Sequence, residues 1–241
     1  MLNLRGRLGN QIMQLSYYLD RCNRKAIIVN ESSVDLDVIF SEMNIITVKN
    51  RPLDLLFKRL RKIKSVLFNQ YLDLFFFGIY DGYCQHMNEL NPNLKSYLNE
   101  RIVDTIKAEI VIHVRGEDYL SKKNRKIYNL VDSSFYIKIL KDHIKPLRQK
   151  SVFLVGNDKV QLEKLKIELE SYFETVYFEI FTGLNYWEDF SFLANAETAI
   201  IPNSTFSYCA RLLNSKTTYC VDQWYLSTYY KRPNNNSINF I

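Results

Sequence analysis

The sequence predicts an α/β fold whose second half is a Rossmann-like domain, and two patterns carry that expectation. From Glu109 onward, short apolar runs alternate with amphipathic helical stretches, the pattern of parallel strands covered by helices on both faces. Several runs end in glycine or in hydroxyl-rich turns, and open parallel sheets bind ligands just beyond the carboxyl ends of their strands.

The runs are Ile110 to Val114, Val152 to Val155, Val176 to Ile180, Ala199 to Ile201 and Thr218 to Val221. Helix starts are marked by Ser133-Ser134 before Phe135 and by Asn157-Asp158 before Val160, residue types that satisfy first-turn amides. The first hundred residues mix shorter strands, Leu2 to Leu4, Ala26 to Val29 and Ile45 to Val48, with helices, the first of which carries Ile12, Leu15 and Leu19 on one face. This half also reads as α/β, and the expected division is an N-terminal domain of residues 1–107 and a Rossmann-like domain of residues 108–241. The apolar stretch Tyr71 to Tyr80 is interrupted by Asp73 and is far shorter than the roughly 20 residues of a membrane span. It reads as core or interface. Asn234-Asn235-Asn236 reads as a loose tail.

Composition narrows the function classes. The chain has 241 residues, 47% apolar and 24% charged, which is globular and not disordered. Met1 to Gly6 runs into patterned sequence without an apolar export signal, so a cytoplasmic protein is expected. Cys22, Cys84, Cys209 and Cys220 form no CxxC pair, and His86, His113 and His143 lack ligand spacing, which argues against a structural zinc site and for buried free thiols. The net charge of +6 favours anionic partners. Between Arg51 and Lys64, six cations face the single acid Asp54, with Leu56, Leu60, Ile63 and Leu67 at helical spacing. Such a basic amphipathic helix is either a solvated helix packed by its leucines or a contact for anionic membrane.

Three motifs could carry chemistry. Gly6-Arg7-Leu8-Gly9-Asn10-Gln11 sits between a strand and a helix. Its glycines would let the backbone approach a phosphate at the helix N-terminus, although a tight strand-to-helix turn needs glycine in any case. His113-Val114-Arg115-Gly116-Glu117-Asp118-Tyr119 follows the most apolar strand. Arg115 could offer a two-pronged contact to a diphosphate or pair on the surface with Glu117 or Asp118. His113 could be a base or a satisfied core residue. Asn203-Ser204-Thr205-Phe206-Ser207 follows Pro202 and opens a helix, so its hydroxyls and amides could hold an anion or simply cap. Upstream, Asp189 at a helix start could accept the two N–H donors of guanine, or be a solvated first-turn acid.

Taken together and in order, these blocks resemble glycosyltransferase family 11, the bacterial α-1,2-fucosyltransferases. Gly6 to Gln11 with Met13-Gln14, Gly82-Tyr83-Cys84-Gln85, the set His113, Arg115, Asp118 and Tyr119, and Asp189 through Ser207 match the family's blocks in sequence order. The chain departs from the family where a second arginine is Gly116, a glycine is Glu117, Ser-Asp-Asp is Gly156-Asn157-Asp158, and Phe-Ser-Trp-Trp is Phe206-Ser207-Tyr208-Cys209.

The resemblance implies a GT-B fold of two Rossmann-like halves, with the acceptor held largely by the first half and the GDP-sugar by the second. Arg115 would contact the β-phosphate, and the Gly6 to Asn10 turn and Ser204 to Ser207 would complete the cradle. His113 and Asp189 would lie near the nucleoside, with Glu117 and Asp118 as candidate bases by position. No metal or other cofactor is implied by the resemblance. The expected reaction is inverting transfer of fucose from GDP-fucose to a surface oligosaccharide, O-antigen or capsule, lipid-linked at the inner membrane face. A same-fold enzyme for a different nucleotide sugar is the alternative. A basic nucleic-acid-binding protein is the reading from another class, disfavoured because no nucleic-acid module is recognisable.

Overall fold

The computed structural model describes residues 2–4, 6–21, 27–30, 46–47, 59, 74–76, 79–81, 88–102, 108–116, 119, 130–144, 151–182, 185–214, 216–222 and 238–241. Contacts divide the chain into two compact units, Met1–Leu98 and Asn99–Ile241. The sequence reading puts the boundary after residue 107, and residues 103–107 lie outside the described set.

In the first unit, β1 (Leu2–Leu4), β2 (Ile27–Asn30), β3 (Ile46–Thr47), β4 (Leu74–Phe76) and β5 (Ile79–Asp81) form a sheet in the order β3-β2-β1-β5-β4. All pairs are parallel except β4 with β5, so the apolar stretch around Phe75 supplies two strands at one edge of the sheet. The first helix, α1 (Leu8–Arg21), buries Leu8, Ile12, Leu15 and Tyr18, and its last-turn Arg21 stacks over Tyr17, a cation placed where the helix dipole favours it.

A second helix, α2 (Pro92–Arg101), was not anticipated. Asn91 caps it by accepting from the amides of Asn93 and Leu94, and Pro92 occupies the first helical position, where its missing N–H costs nothing. Asn91 also ties this start to α1, through its amide to Ser16 Oγ at 2.6 Å and its Nδ2 to Asp20 at 2.7 Å.

The second unit holds β6 (Ile110–Val114), β7 (Ser151–Gly156), β8 (Tyr177–Phe181), β9 (Thr198–Ile201), β10 (Thr217–Cys220) and β11 (Ile238–Phe240), in the order β11-β10-β9-β6-β7-β8. Every described pair is parallel. Counted within this unit, the order is 6-5-4-1-2-3, the doubly wound Rossmann arrangement. Asn234-Asn235-Asn236 lie outside the described residues, and beyond them β11 forms the sheet edge against β10.

Each strand alternates its side chains between two faces. On one face Ile110, Ile112, Val152, Leu154 and Phe178 make a core with α3 (Ser133–His143) and α4 (Lys159–Tyr172). On the other, Phe153 and Phe181 meet Phe192 of α5 (Tyr186–Asn195), with centroids 5.4 and 4.0 Å apart. This helix packs in turn on α6 (Thr205–Leu212). β6 is buried at all five positions, as its uninterrupted apolar run requires. No helix among the described residues is long and apolar enough to cross a membrane.

Candidate functional site

In a sheet of this order the chain reverses direction between the first and fourth strands, and the crevice beyond their carboxyl ends is the ligand position. Here those strands are β6 and β9. Arg115 and Gly116 leave the first, and Pro202 and Asn203 leave the second. The two exits are joined by Tyr119, whose hydroxyl donates to the Asn203 carbonyl at 3.0 Å and whose amide donates to the Gly116 carbonyl at 2.8 Å. Half-buried Arg115 lies with its guanidinium carbon 5.1 Å from the Tyr119 ring centroid. The structure thus brings together the second and third motifs.

The helix that starts at this crevice differs from its neighbours. Asp132 caps α3 by accepting from the Ser134 amide at 2.9 Å, Asp158 caps α4 through the Gln161 amide at 3.1 Å, and Asn185 caps α5 through the amides of Trp187 and Glu188. Ser204 stands at the N-cap position of α6, but its side chain accepts no amide. The first-turn amides of a helix have no partner within the helix, so this end offers donors and a positive dipole end to an anion. Ser207 is fully buried, with its hydroxyl on the Ser204 carbonyl at 3.2 Å, whereas Thr205 and Phe206 remain half-exposed. Capping by Ser204, the simpler explanation of this motif, is not what the structure shows.

His113 is buried, with its ring 5.8 Å from that of Phe206. Burial, reinforced by the charge of Arg115, pushes its pKa well below the usual histidine value. It is neutral at pH 7, and among the described residues its Nδ1 has no hydrogen-bond partner. Phe206 touches Phe190, and Phe190 touches Trp187, so a run of rings leads from the switch point to the first turn of α5. Asp189 stands in that turn. The helix begins at Tyr186, earlier than the sequence reading placed it, and its true cap is Asn185.

Gly116 explains one departure from the family pattern. A Cβ at this position would overlap the carboxylate of Asp158, so the cap of α4 occupies the space that a side chain at 116 would need.

The first motif lies in the other unit. Gly6 has φ +81, a conformation glycine adopts without penalty, and Gln11 is turned inward with its Nε2 donating to the Gly6 carbonyl at 2.8 Å. Gly9 is buried, Asn10 half-buried and Arg7 exposed. Asp118, Glu117, the Gly82 to Gln85 block and all of the Arg51 to Lys64 segment except exposed Arg59 lie outside the described residues. So does Asp35-Leu36-Asp37, an Asp-x-Asp triplet in the first half.

Sequence reasoning missed Arg211. It is 1% exposed, and its guanidinium donates to the carbonyls of Leu193 and Ala196 at 2.8 Å, to that of Thr217 at 3.0 Å and to Thr218 Oγ1 at 2.8 Å. It therefore ties the far end of α6 to the carbonyl end of α5 and to β10. Burial pulls its pKa down to about 10, opposed by Glu197, so it stays charged at neutral pH. Cys209 and Cys220 are buried thiols, and burial pushes both up, which makes them poor nucleophiles.

No curated protein matches the chain. The model of glycosyl transferase family 11 matches residues 62–240, a span that takes in β6 with Arg115, α5 with Asp189, and the open end of α6. With most of its length matched, the chain belongs to glycosyl transferase family 11.

Proposed function

We propose that the protein is an inverting α-1,2-fucosyltransferase, which moves fucose from GDP-fucose to a hydroxyl of a bacterial surface oligosaccharide, O-antigen or capsule, carried on a lipid at the inner membrane face. Family membership implies a nucleotide-sugar donor and an acceptor. The observation that carries the donor site is the uncapped N-terminus of α6 beside the strand exit that bears Arg115. In the GT-B fold proposed here, the second unit holds the donor and the first supplies acceptor recognition.

An acceptor hydroxyl attacks the anomeric carbon as the bond to the β-phosphate oxygen breaks, converting a β-linked donor into an α-linked product and releasing GDP. Negative charge grows on the departing diphosphate. Arg115 and the first-turn amides of α6 are fixed before reaction, which makes their stabilisation effective. Neutral His113 hydrogen-bonds the nucleoside and adds no charge. Asp189 accepts from guanine, and a carboxylate at Glu117 or Asp118 takes the acceptor proton. No metal is needed, because fixed cationic and amide groups meet the diphosphate.

The test is turnover, read as nucleoside diphosphate released from a panel of nucleotide sugars. Losing one preorganised donor to developing charge costs about 2.7–4 kcal/mol. Arg115→Ala should therefore lower kcat roughly a hundred- to thousandfold, with Arg115→Lys only partly better, at an unchanged thermal midpoint. Near-normal turnover in Arg115→Ala would refute this mechanism. A second reading, the same fold with a different nucleotide sugar, is favoured by Gly116, whose place beside Arg115 is closed by Asp158. Titration with GDP, UDP and dTDP separates the two.

A further inference from the structure

Between α3 and α4, on the sheet face opposite α5 and α6, the second unit has a recess of about 230 Å³. Its apolar lining includes Val114, Tyr136, Leu165 and Pro202, and its polar rim is Arg115, Asp132, Ser133, Gln161, Lys164 and Glu168. The rim is electrically balanced. Lys164 and Glu168 lie 4.0 Å apart, and Asp132 is kept ionised by its hydrogen bonds from Ser134, so two carboxylates offset Arg115 and Lys164.

That balance decides against an anion as occupant. A phosphate would gain from the two rim cations and lose against the two rim carboxylates. A neutral polyol has no such conflict, since carboxylates accept its hydroxyl protons, Lys164 and Gln161 donate to its oxygens, and the apolar surface covers its C–H face. Size points the same way. The recess is smaller than the about 300–1,000 Å³ of sites for drug-sized ligands and has the volume of about eight water molecules, suited to one sugar ring and not to an oligosaccharide.

We propose that this recess seats the sugar carried by the donor, so that Gln161, Lys164 and Glu168 read its hydroxyls while Arg115, on the shared rim, holds the phosphate to which the sugar is attached. The inference rests on the transferase reading above and adds the place and residues of sugar selection. Asp132 and Ser133, at the start of α3, form the opposite wall.

The experiment is calorimetric titration of wild type, Gln161→Phe and Glu168→Gln with GDP and, separately, with GDP-fucose. Both positions are partly exposed on α4, so the variants should fold, which their thermal midpoints check. Gln161→Phe fills the recess and should weaken GDP-fucose at least about tenfold while leaving GDP within about twofold. Glu168→Gln, which loses one charged acceptor, should weaken GDP-fucose about tenfold, again sparing GDP. Unchanged GDP-fucose affinity in both variants overturns the inference, as does an equal loss for GDP and GDP-fucose, which would assign the recess to the nucleotide. Wild type that binds neither ligand overturns the GDP-fucose reading on which the inference rests, and the inference with it.

Discussion

Replacing Arg211 with methionine should destabilise the second unit by about 3–5 kcal/mol. The side chain is buried, and three of its contacts are backbone carbonyls at 2.8 to 3.0 Å, those of Leu193, Ala196 and Thr217. Methionine fills similar space but donates nothing, and each carbonyl left unsatisfied costs about 1–3 kcal/mol. Relief of the guanidinium's own burial cost offsets part of that sum, which brings the net to the stated range. Lysine keeps a charge but cannot reach these acceptors together with Thr218 Oγ1, so Arg211→Lys should fall between the two. Urea unfolding at pH 7 followed by tryptophan fluorescence is a suitable assay, because Trp187 and Trp224 are the only tryptophans and both belong to the second unit. A methionine variant within about 1 kcal/mol of wild type would show that water or a neighbouring group can replace the guanidinium, and the account of Arg211 as the anchor of α6 would fail.

Two further outcomes are expected. His113 is held neutral when folded and takes up a proton near its ordinary pKa when unfolded, so the unfolded state binds more protons in acid. Its stability contribution is present above about pH 6.5 and is lost below it, at up to about 1.4 kcal/mol per pH unit. Unfolding free energies measured from pH 7 to pH 5 should fall more steeply for wild type than for His113→Phe, and parallel curves would count against a buried neutral imidazole. Excess EDTA should leave turnover nearly unchanged, and a collapse restored by Mn²⁺ or Mg²⁺ would bring Asp35-Leu36-Asp37 forward as a cation site.

The strands of the second unit were legible because each is a short apolar run with polar residues on either side, the signature of a strand covered on both faces. β6 runs from Ile110 to Val114 as read, and the four that follow it differ by a residue or so at their ends. What escaped the reading depended on distant partners. β11 has three residues and no periodicity of its own, and it exists through its pairing with Thr218, Tyr219 and Cys220. Arg211 looks in sequence like a surface cation on an apolar helix, and only the folded chain gathers the carbonyls that bury it.

Two misses were local and could have been avoided. Asn91-Pro92 announces α2, and Asn185 followed by Glu188 three residues later is a capping-box spacing that outranks Asp189 as a helix start. The capping of α6 was a different problem. Ser204 and Thr205 fit a capped helix and an anion site equally well, and the sequence does not reveal that the Ser204 side chain makes no cap hydrogen bond.

The open end of α6 and its buried arginine lie at opposite ends of one helix. A helix whose N-cap side chain takes no amide forgoes about 1 kcal/mol relative to a capped one, and a first turn free of partners is prone to fray. Stabilising charge that appears during reaction requires amides already held in place, because reorganisation at that moment would cancel the gain. The fixing must then come from elsewhere on the helix. Arg211, in the last turn, binds the carbonyl end of α5 and the start of β10, while Tyr208 and Cys209 are fully buried between them in sequence and the open turn. Asn203, just ahead of the helix, is held through its carbonyl by Tyr119. The first turn of α6 is thus braced from both sides without a side-chain cap, as the proposed donor site requires.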